Sequence, residues 1–425
     1  MNKDEVLKQY FGHAEFRDGQ DDIIDRIMDG HDVMCIMPTG AGKSLCYQVP
    51  AVLLEGITIV VSPLISLMND QVMSLIQAGI PAAYLNSSLT DKQYDKALIQ
   101  AGNGMYKIIY AAPERLLTSR FFNFANSVKI SMITVDEAHC VSQWGHDFRP
   151  SYLKIIDFIN MLSCRPVISA FTATATKEIE ADIVRVLQLE DPFRITTGFN
   201  RSNLFFQVLQ PTGKMQRLLR FMKEHTGLCG IVYCSTRKNV EDVCGTLCRN
   251  GFPATRYHAG LEDQERIENQ DAFSSDRIKI MVATNAFGMG IDKSNVSFVV
   301  HYNMPQSIEN YYQEAGRAGR DGRPAECVIL YNAADVETIR YLLDQSEGNP
   351  DLEEHMQSQI RQNEKRRLQD MVDYCLTRTC LREYILTYFG AKAKKQCGNC
   401  ANCRAGDNKP QTPDSKGLTQ VPSGF

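Results

Sequence analysis

Short apolar runs alternate with amphipathic stretches along most of the chain. In the first half the runs are 33-VMCIM-37, 57-ITIVVS-62, 107-KIIYAA-112, 131-SMITV-135 and 167-VISAFTA-173. In the second half they are 229-CGIVYC-234, 278-IKIMVAT-284, 298-FVVHYN-303 and 327-CVILYN-332. Runs apolar on both faces, with helical patterns between them, predict parallel strands joined by crossover helices. The pattern pauses near 196-TTGFNRSNLFF-206 and then resumes, so two α/β domains are expected, joined there. Beyond about residue 340 the strand runs stop. The stretch 351–389 has a helical pattern, 391–404 is rich in Lys and Cys, and 405–425 has no periodicity and reads as a disordered tail. The expected division is 1–203, 204–340, 341–406 and a tail from 407.

Composition changes this picture little. The chain has 425 residues, which is long for one domain, and 44% hydrophobic against 23% charged residues, which suits a globular core. The N-terminus MNKDEVLKQYFG has no signal-peptide run, and the longest apolar runs fall far short of the ~20 residues that span a bilayer. A cytoplasmic protein with no membrane partner is expected. The net charge of −4 gives no global sign of nucleic acid, but a local patch can act where a total does not. Such a patch exists: residues 361–405 carry ten basic against four acidic side chains. It reads either as a solvated helix face or as a phosphate-contacting surface.

The segment 37-MPTGAGKSLCYQVP-50 follows a strand run and precedes a helical pattern, the setting of a phosphate-binding loop. Backbone N–H groups of Thr39, Gly40, Ala41 and Gly42 would approach phosphate oxygens, Lys43 would add a point charge, and the Ser44 hydroxyl could hold Mg²⁺. Met37 stands where the strict pattern wants glycine, and a chance Gly-rich turn is the bland alternative. The acidic pair Asp136–Glu137 ends the run 131–135, where parallel sheets bind ligands. Asp136 would hold Mg²⁺ and Glu137 would orient and deprotonate water. A surface turn with two solvated carboxylates is the alternative.

In the second half, 313-QEAGRAGRDG-322 offers Arg317 and Arg320 between glycines, suited to close approach to an anion or, more simply, to a basic turn. The Gly-rich stretch 284-TNAFGMGIDKSNV-296 contains Gly288 and ends its loop in Asp292. It could couple nucleotide to the second domain or be a plain turn.

Trp144, the only tryptophan, lies in the polar stretch 136-DEAHCVSQWGHDFRPSY-152. Trp144 and Phe148 could stack on unpaired bases, each worth about 1–3 kcal/mol, and Arg149 and Tyr152 extend the same surface. Alternatively Trp144 caps a domain interface. Cys380 and 397-CGNCANC-403 supply four thiolates, Cys380, Cys397, Cys400 and Cys403, which suit structural Zn²⁺ or an iron–sulfur cluster. A disulfide is disfavoured in a reducing compartment.

Taken in order, 16-FRDGQ-20, the phosphate loop, 61-VSPLISLMNDQV-72, 111-AAPERL-116, the 136–152 stretch, 171-FTATAT-176, 232-VYCSTRKNVE-241, 257-YHAGL-261, 282-VATNAFGMGIDK-293 and 313-QEAGRAGRDG-322 resemble the motifs of RecQ-type DNA helicases of superfamily 2. The resemblance runs from about residue 7 to about 404. It implies an α/β fold of two tandem RecA-like parallel-sheet domains followed by a small helical zinc-binding domain, with ATP, Mg²⁺ and Zn²⁺ as cofactors. It implies that Arg17 and Gln20 read the adenine edge, with His13 where the family often stacks an aromatic. Gln313, Arg317 and Arg320 would line the interdomain ATP cleft, Arg320 as arginine finger, and zinc rather than iron–sulfur would occupy the thiolates.

The implied activity is ATP-dependent 3′-to-5′ translocation and unwinding of single-stranded, tailed or forked DNA in recombination and repair. A single-strand-binding protein is an expected partner and the chromosome an expected place. Larger family members continue into a winged-helix domain and a further helical DNA-binding domain. Here an unpatterned stretch follows the zinc module, so the expectation is a short form. That keeps open a DNA-stimulated translocase or strand-annealing factor that unwinds poorly. A non-catalytic DNA-binding module is disfavoured because Lys43, Asp136, Glu137 and Arg320 are present. An RNA helicase is disfavoured by the aromatic loop and the zinc module.

Overall fold

The computed structural model describes residues 1–145, 147–287, 293–345 and 353–407. Among the described residues thirteen strands form two parallel sheets. The first contains β1 (Val33–Ile36), β2 (Ile57–Val61), β3 (Ala82–Leu85), β4 (Ile108–Ala111), β5 (Ile130–Val135), β6 (Val167–Thr172) and β7 (Phe193–Thr196), in the order β3-β4-β2-β5-β6-β1-β7. The second contains β8 (Leu204–Leu209), β9 (Gly230–Tyr233), β10 (Ala254–Tyr257), β11 (Ile280–Ala283), β12 (Phe298–His301) and β13 (Ala325–Leu330), in the order β10-β11-β9-β12-β13-β8.

All nine apolar runs are strands, and each lies inside a sheet. β1, β2, β4, β9, β11 and β12 are buried along their whole length, as strands covered by helices on both faces must be. The four strands that the pattern did not announce, β3, β7, β8 and β10, are the four sheet edges, and each is partly exposed. β8 starts inside the stretch read as the pause between domains.

The third region is helical: Glu354–Leu376, Leu381–Tyr388 and Ala401–Asp407. The last of these carries regular structure into the start of the stretch read as tail, and residues 408–425 lie outside the described residues. The expected boundary after residue 340 falls within the helix Ala333–Gln345.

This region docks on the edge strand β8. Phe206 forms a parallel bridge with Cys400. Arg404 lies over the Phe205 ring at 4.4 Å and Arg382 over the Phe206 ring at 5.1 Å. Covering an edge in this way removes a row of unpaired backbone groups from solvent. Between the sheets, Phe199 stacks on Phe389 at 4.9 Å, so the connection between the two halves is also packed against the third region. Among the described residues no helix is long and apolar enough to cross a membrane.

A nucleotide-sized cleft between the sheets and a four-thiol centre

Parallel strands send their loops out at one edge, and here those loops carry the polar residues. β1 runs into the loop 37–42 and then the helix Lys43–Leu53, whose N-terminal dipole faces the loop. Gly40 and Gly42 both sit at φ +83°, a conformation that favours glycine. β5 ends in Asp136. The next residue, Glu137, is left-handed at φ +49°, an uncommon conformation for a non-glycine residue. Its N–H donates to Asp136 Oδ1 at 3.0 Å.

These loops border a cleft of about 430 Å³. From the first sheet it is lined by His13, Arg17, Thr39, Gly40, Gly42, Lys43, Ser44, Asp136 and Glu137. From the second it is lined by Gln313, Arg317 and Arg320. The structure therefore brings Lys43, Asp136, Glu137, Gln313, Arg317 and Arg320 to one cleft, while Ala41 of the phosphate loop does not line it. Leu45, Leu67, Gln71 and Ser294 also line it and were not singled out in sequence. Gly288 and Asp292 lie outside the described residues.

Burial and the neighbouring Glu137 charge push the Asp136 carboxyl up to about 7, with Lys43 pulling the other way. The oxygen donors Ser44 and Asp136 fit a hard divalent cation, and such a cation would offset the cost of ionising Asp136. A row of close polar contacts leads away from the carboxylates. Glu137 Oε2 lies 3.3 Å from His139 Nδ1, which lies 2.9 Å from Thr172 Oγ1. Thr172 Oγ1 donates to the Thr174 carbonyl at 3.1 Å, and Gln313 of the second sheet donates to Thr174 Oγ1 at 3.4 Å. Arg317 is buried close to the Tyr233 hydroxyl.

Two expectations need correction. Gln20 is buried and does not line the cleft. Its Nε2 donates to the carbonyls of Ala41 and Gly42 at 3.2 and 3.0 Å, and its Oε1 accepts from the Arg17 N–H at 2.8 Å. It braces the phosphate loop from behind, because the loop's carbonyls need donors that the helix dipole does not supply. Tyr152 is wholly buried, on the inward side of the helix Pro150–Asn160, so it offers no ring face to a base. Its hydroxyl donates to the Asp136 carbonyl at 3.1 Å.

Trp144, by contrast, is 41% exposed, and Phe148 is half-buried. Arg149 is paired through Nε and Nη2 with Asp147 Oδ2 at 3.1 and 3.0 Å, and its Nη1 donates to the Pro63 carbonyl at 3.0 Å. The Trp144 carbonyl accepts from Arg367 Nη1 at 2.9 Å. The helix of the third region therefore holds the aromatic loop of the first, a contact with no trace in sequence.

The Sγ atoms of Cys380, Cys397, Cys400 and Cys403 all lie within 4.8 Å of one another, with Cys380 and Cys400 at 3.9 Å. A tetrahedral zinc site with bonds of ~2.3 Å puts its sulfurs ~3.8 Å apart. The sulfurs stand too far apart for a disulfide and leave room for one ion, not several. Backbone N–H groups of Glu383 and Asn399 donate to Cys380 Sγ and Cys397 Sγ at 3.4 and 3.3 Å, the support thiolates receive in such sites.

The comparison with known proteins matches this geometry piece by piece. Residues 17–181 match the DEAD/DEAH box helicase family model, 213–322 the helicase conserved C-terminal domain, and 333–404 the RecQ zinc-binding domain. The chain belongs to the RecQ family of helicases. ATP-dependent DNA helicase RecQ of Bacillus subtilis (strain 168) is 46% identical to it over 94% of this chain and 66% of its own length. The protein of the same name from Pasteurella multocida (strain Pm70) is 44% identical over 94% of this chain and 62% of its own. The chain thus spans about two thirds of these RecQ relatives. In fold it resembles Mycobacterium smegmatis helicase Lhr, with a TM-score of 0.62 at 20% identity, covering 80% of this chain and 49% of that one.

Metal analysis of the purified protein should find one zinc and no iron per chain. Cys400→Ser should lose the zinc and lower the melting temperature of the third region, because metal binding supplies on the order of 10 kcal/mol of folding free energy at such sites. Nucleotide binding should persist. Iron in the unaltered chain, or zinc retained after Cys400→Ser, contradicts the assignment.

Proposed function

We propose that this chain is an ATP-dependent DNA helicase that moves 3′ to 5′ on single-stranded DNA and unwinds tailed or forked duplexes in recombination and repair. One observation carries the reading: a single cleft is lined by a phosphate loop and two carboxylates from one sheet and by two arginines from the other. A site divided between two bodies can do mechanical work, since its ligand is bound best when they close and less well when they part.

In this reading Lys43 and the loop N–H groups bind the β- and γ-phosphates, while Ser44 and Asp136 hold magnesium. Magnesium held there would neutralise phosphate charge. Glu137 orients the attacking water and takes its proton, with His139 fixing the carboxylate from behind. Arg320 approaches the γ-phosphate from the second sheet as the arginine finger, and Gln313 and Arg317 complete that side. His13 and Arg17 meet the base.

Trp144 and Phe148 stack on unpaired bases. Their loop is tied to the chemistry by short links: Arg149 to the Pro63 carbonyl, Tyr152 to the Asp136 carbonyl, and the loop's own start at Glu137. DNA engagement that shifts this loop shifts the catalytic carboxylates. The basic third region supplies duplex contacts, and a single-strand-binding protein would meet the products. The curated relatives carry the name ATP-dependent DNA helicase, which supports the reading. The setting is then the cytoplasm, on the chromosome.

The decisive assay follows strand displacement and ATP hydrolysis together. A duplex with a 3′ single-stranded tail should separate, one with a 5′ tail should not, and Lys43→Ala should abolish both activities. DNA-dependent hydrolysis with an intact duplex would instead mark a translocase, and no hydrolysis would sink the reading. Trp144→Ala should leave basal hydrolysis in place and remove most of its stimulation by single-stranded DNA. Full stimulation in that variant would rule out coupling through this loop.

A further inference from the structure

The segment 197–203 reads in sequence as a plain connection, yet its polar side chains reach into both halves of the cleft. Arg201 donates from Nη1 to the Thr39 carbonyl of the phosphate loop at 3.3 Å and to the Gly316 carbonyl at 3.1 Å. From Nη2 it donates to the carbonyls of Ala318 and Gly319 at 2.8 and 2.7 Å. The last three carbonyls belong to the turn that follows the helix Ile308–Ala315, where intrahelical partners run out and partial negative charge collects. That same turn carries Arg317 and Arg320.

Two further contacts tighten the turn. Asn203 Nδ2 donates to the carbonyls of Gly319 and Arg323 at 2.9 and 2.8 Å. A Cβ added to Gly319, at φ +57°, would come within 2.5 Å of that nitrogen. A Cβ added to Gly40 would lie 3.3 Å from Arg320 Cγ and 3.9 Å from Arg201 Nη1, so the stem of Arg320 rests against the phosphate loop beside the Arg201 head. Arg201 is itself pinned from the third region, where Arg382 Nη1 donates to the Arg201 carbonyl at 2.6 Å and to Asn200 Oδ1 at 3.2 Å. A planar fork with five donors can span such a set of acceptors, whereas a lysine ammonium is a single point.

We propose that Arg201 is a positioning residue for ATP hydrolysis: it ties the phosphate loop to the turn bearing Arg317 and Arg320 and thereby sets where Arg320 meets the γ-phosphate. Arg201 acts through Arg320, and the hydrogen bonds of its guanidinium described above all go to backbone carbonyls. The inference rests on the ATP-hydrolysing reading above. A misplacement of ~1 Å at a reacting centre costs on the order of 10²-fold in rate, which sets the scale of the effect.

The test uses the full chain with a single-stranded oligonucleotide, measuring steady-state ATP hydrolysis and, separately, affinity for a non-hydrolysable ATP analogue. Arg201→Ala should lower kcat by about 10- to 100-fold, while analogue affinity stays within about threefold. In an Arg320→Ala background the same substitution should cost less than about twofold, because the group it positions is already gone. A kcat within about twofold of the unaltered chain, or the full loss repeated in the Arg320→Ala background, overturns the proposal. Should Arg201→Ala fail to fold, Asn203→Ala removes only the bonds to Gly319 and Arg323 and must show the same dependence on Arg320, or the proposal fails. If the unaltered chain binds the analogue but hydrolyses no ATP, the functional reading falls first and this inference with it.

Discussion

Every strand pairing in both sheets is parallel, and that constraint organises the rest of the molecule. Parallel strands need crossover helices, so each sheet is covered on both faces and its loops leave from one edge. In the first sheet that edge carries the phosphate loop and the two carboxylates. In the second it faces back with the helix Ile308–Ala315 and the arginine turn. Neither sheet lines the cleft alone: Lys43, Asp136 and Glu137 face it from one, and Gln313, Arg317 and Arg320 from the other.

A cleft shared by two bodies needs something other than its ligand to keep the halves in register. The connection and the third region supply it. Arg201 and Asn203 bind backbone carbonyls of the arginine turn, Arg382 binds the Arg201 carbonyl, and Phe389 stacks on Phe199. The four-thiol centre lies directly behind this brace, with Asn399 donating to the Ser202 carbonyl at 2.9 Å. The third region also reaches the other way, through Arg367 to the Trp144 carbonyl. It thus touches both the connection and the aromatic loop. A metal held by these thiols would rigidify the part that holds the others.

The sequence shows the interior of this protein better than its margins. The nine apolar runs correspond to the nine interior strands, because burial on both faces requires unbroken apolar residues. AAYL, FRIT, ATRY and LFFQVL lack that signature because edge strands face solvent on part of their surface. The cleft was legible because phosphate and metal demand particular residues at fixed spacing. Arg201, Asn203, Arg367 and Arg382 were not, because they bind backbone carbonyls far away in the chain, and a carbonyl leaves no mark on residue identity. An arginine between two asparagines nearby in a short connection is the only trace. Tyr152 shows the reverse error: its polar sequence neighbours suggested a surface, while the helix it begins turns it inward. Gln20 lies beside the expected loop, on its buried side.

The claim on which the account stands is that the two sheets form one catalytic site. It is tested most directly by comparing two single substitutions, one from each sheet, Glu137→Gln and Arg320→Ala, in the same pair of assays. Both variants should bind a non-hydrolysable ATP analogue nearly as well as the unaltered chain, and both should lose DNA-stimulated hydrolysis by on the order of 10³-fold. Hydrolysis at the unaltered rate in either variant would contradict a shared site and leave the chemistry to one sheet alone.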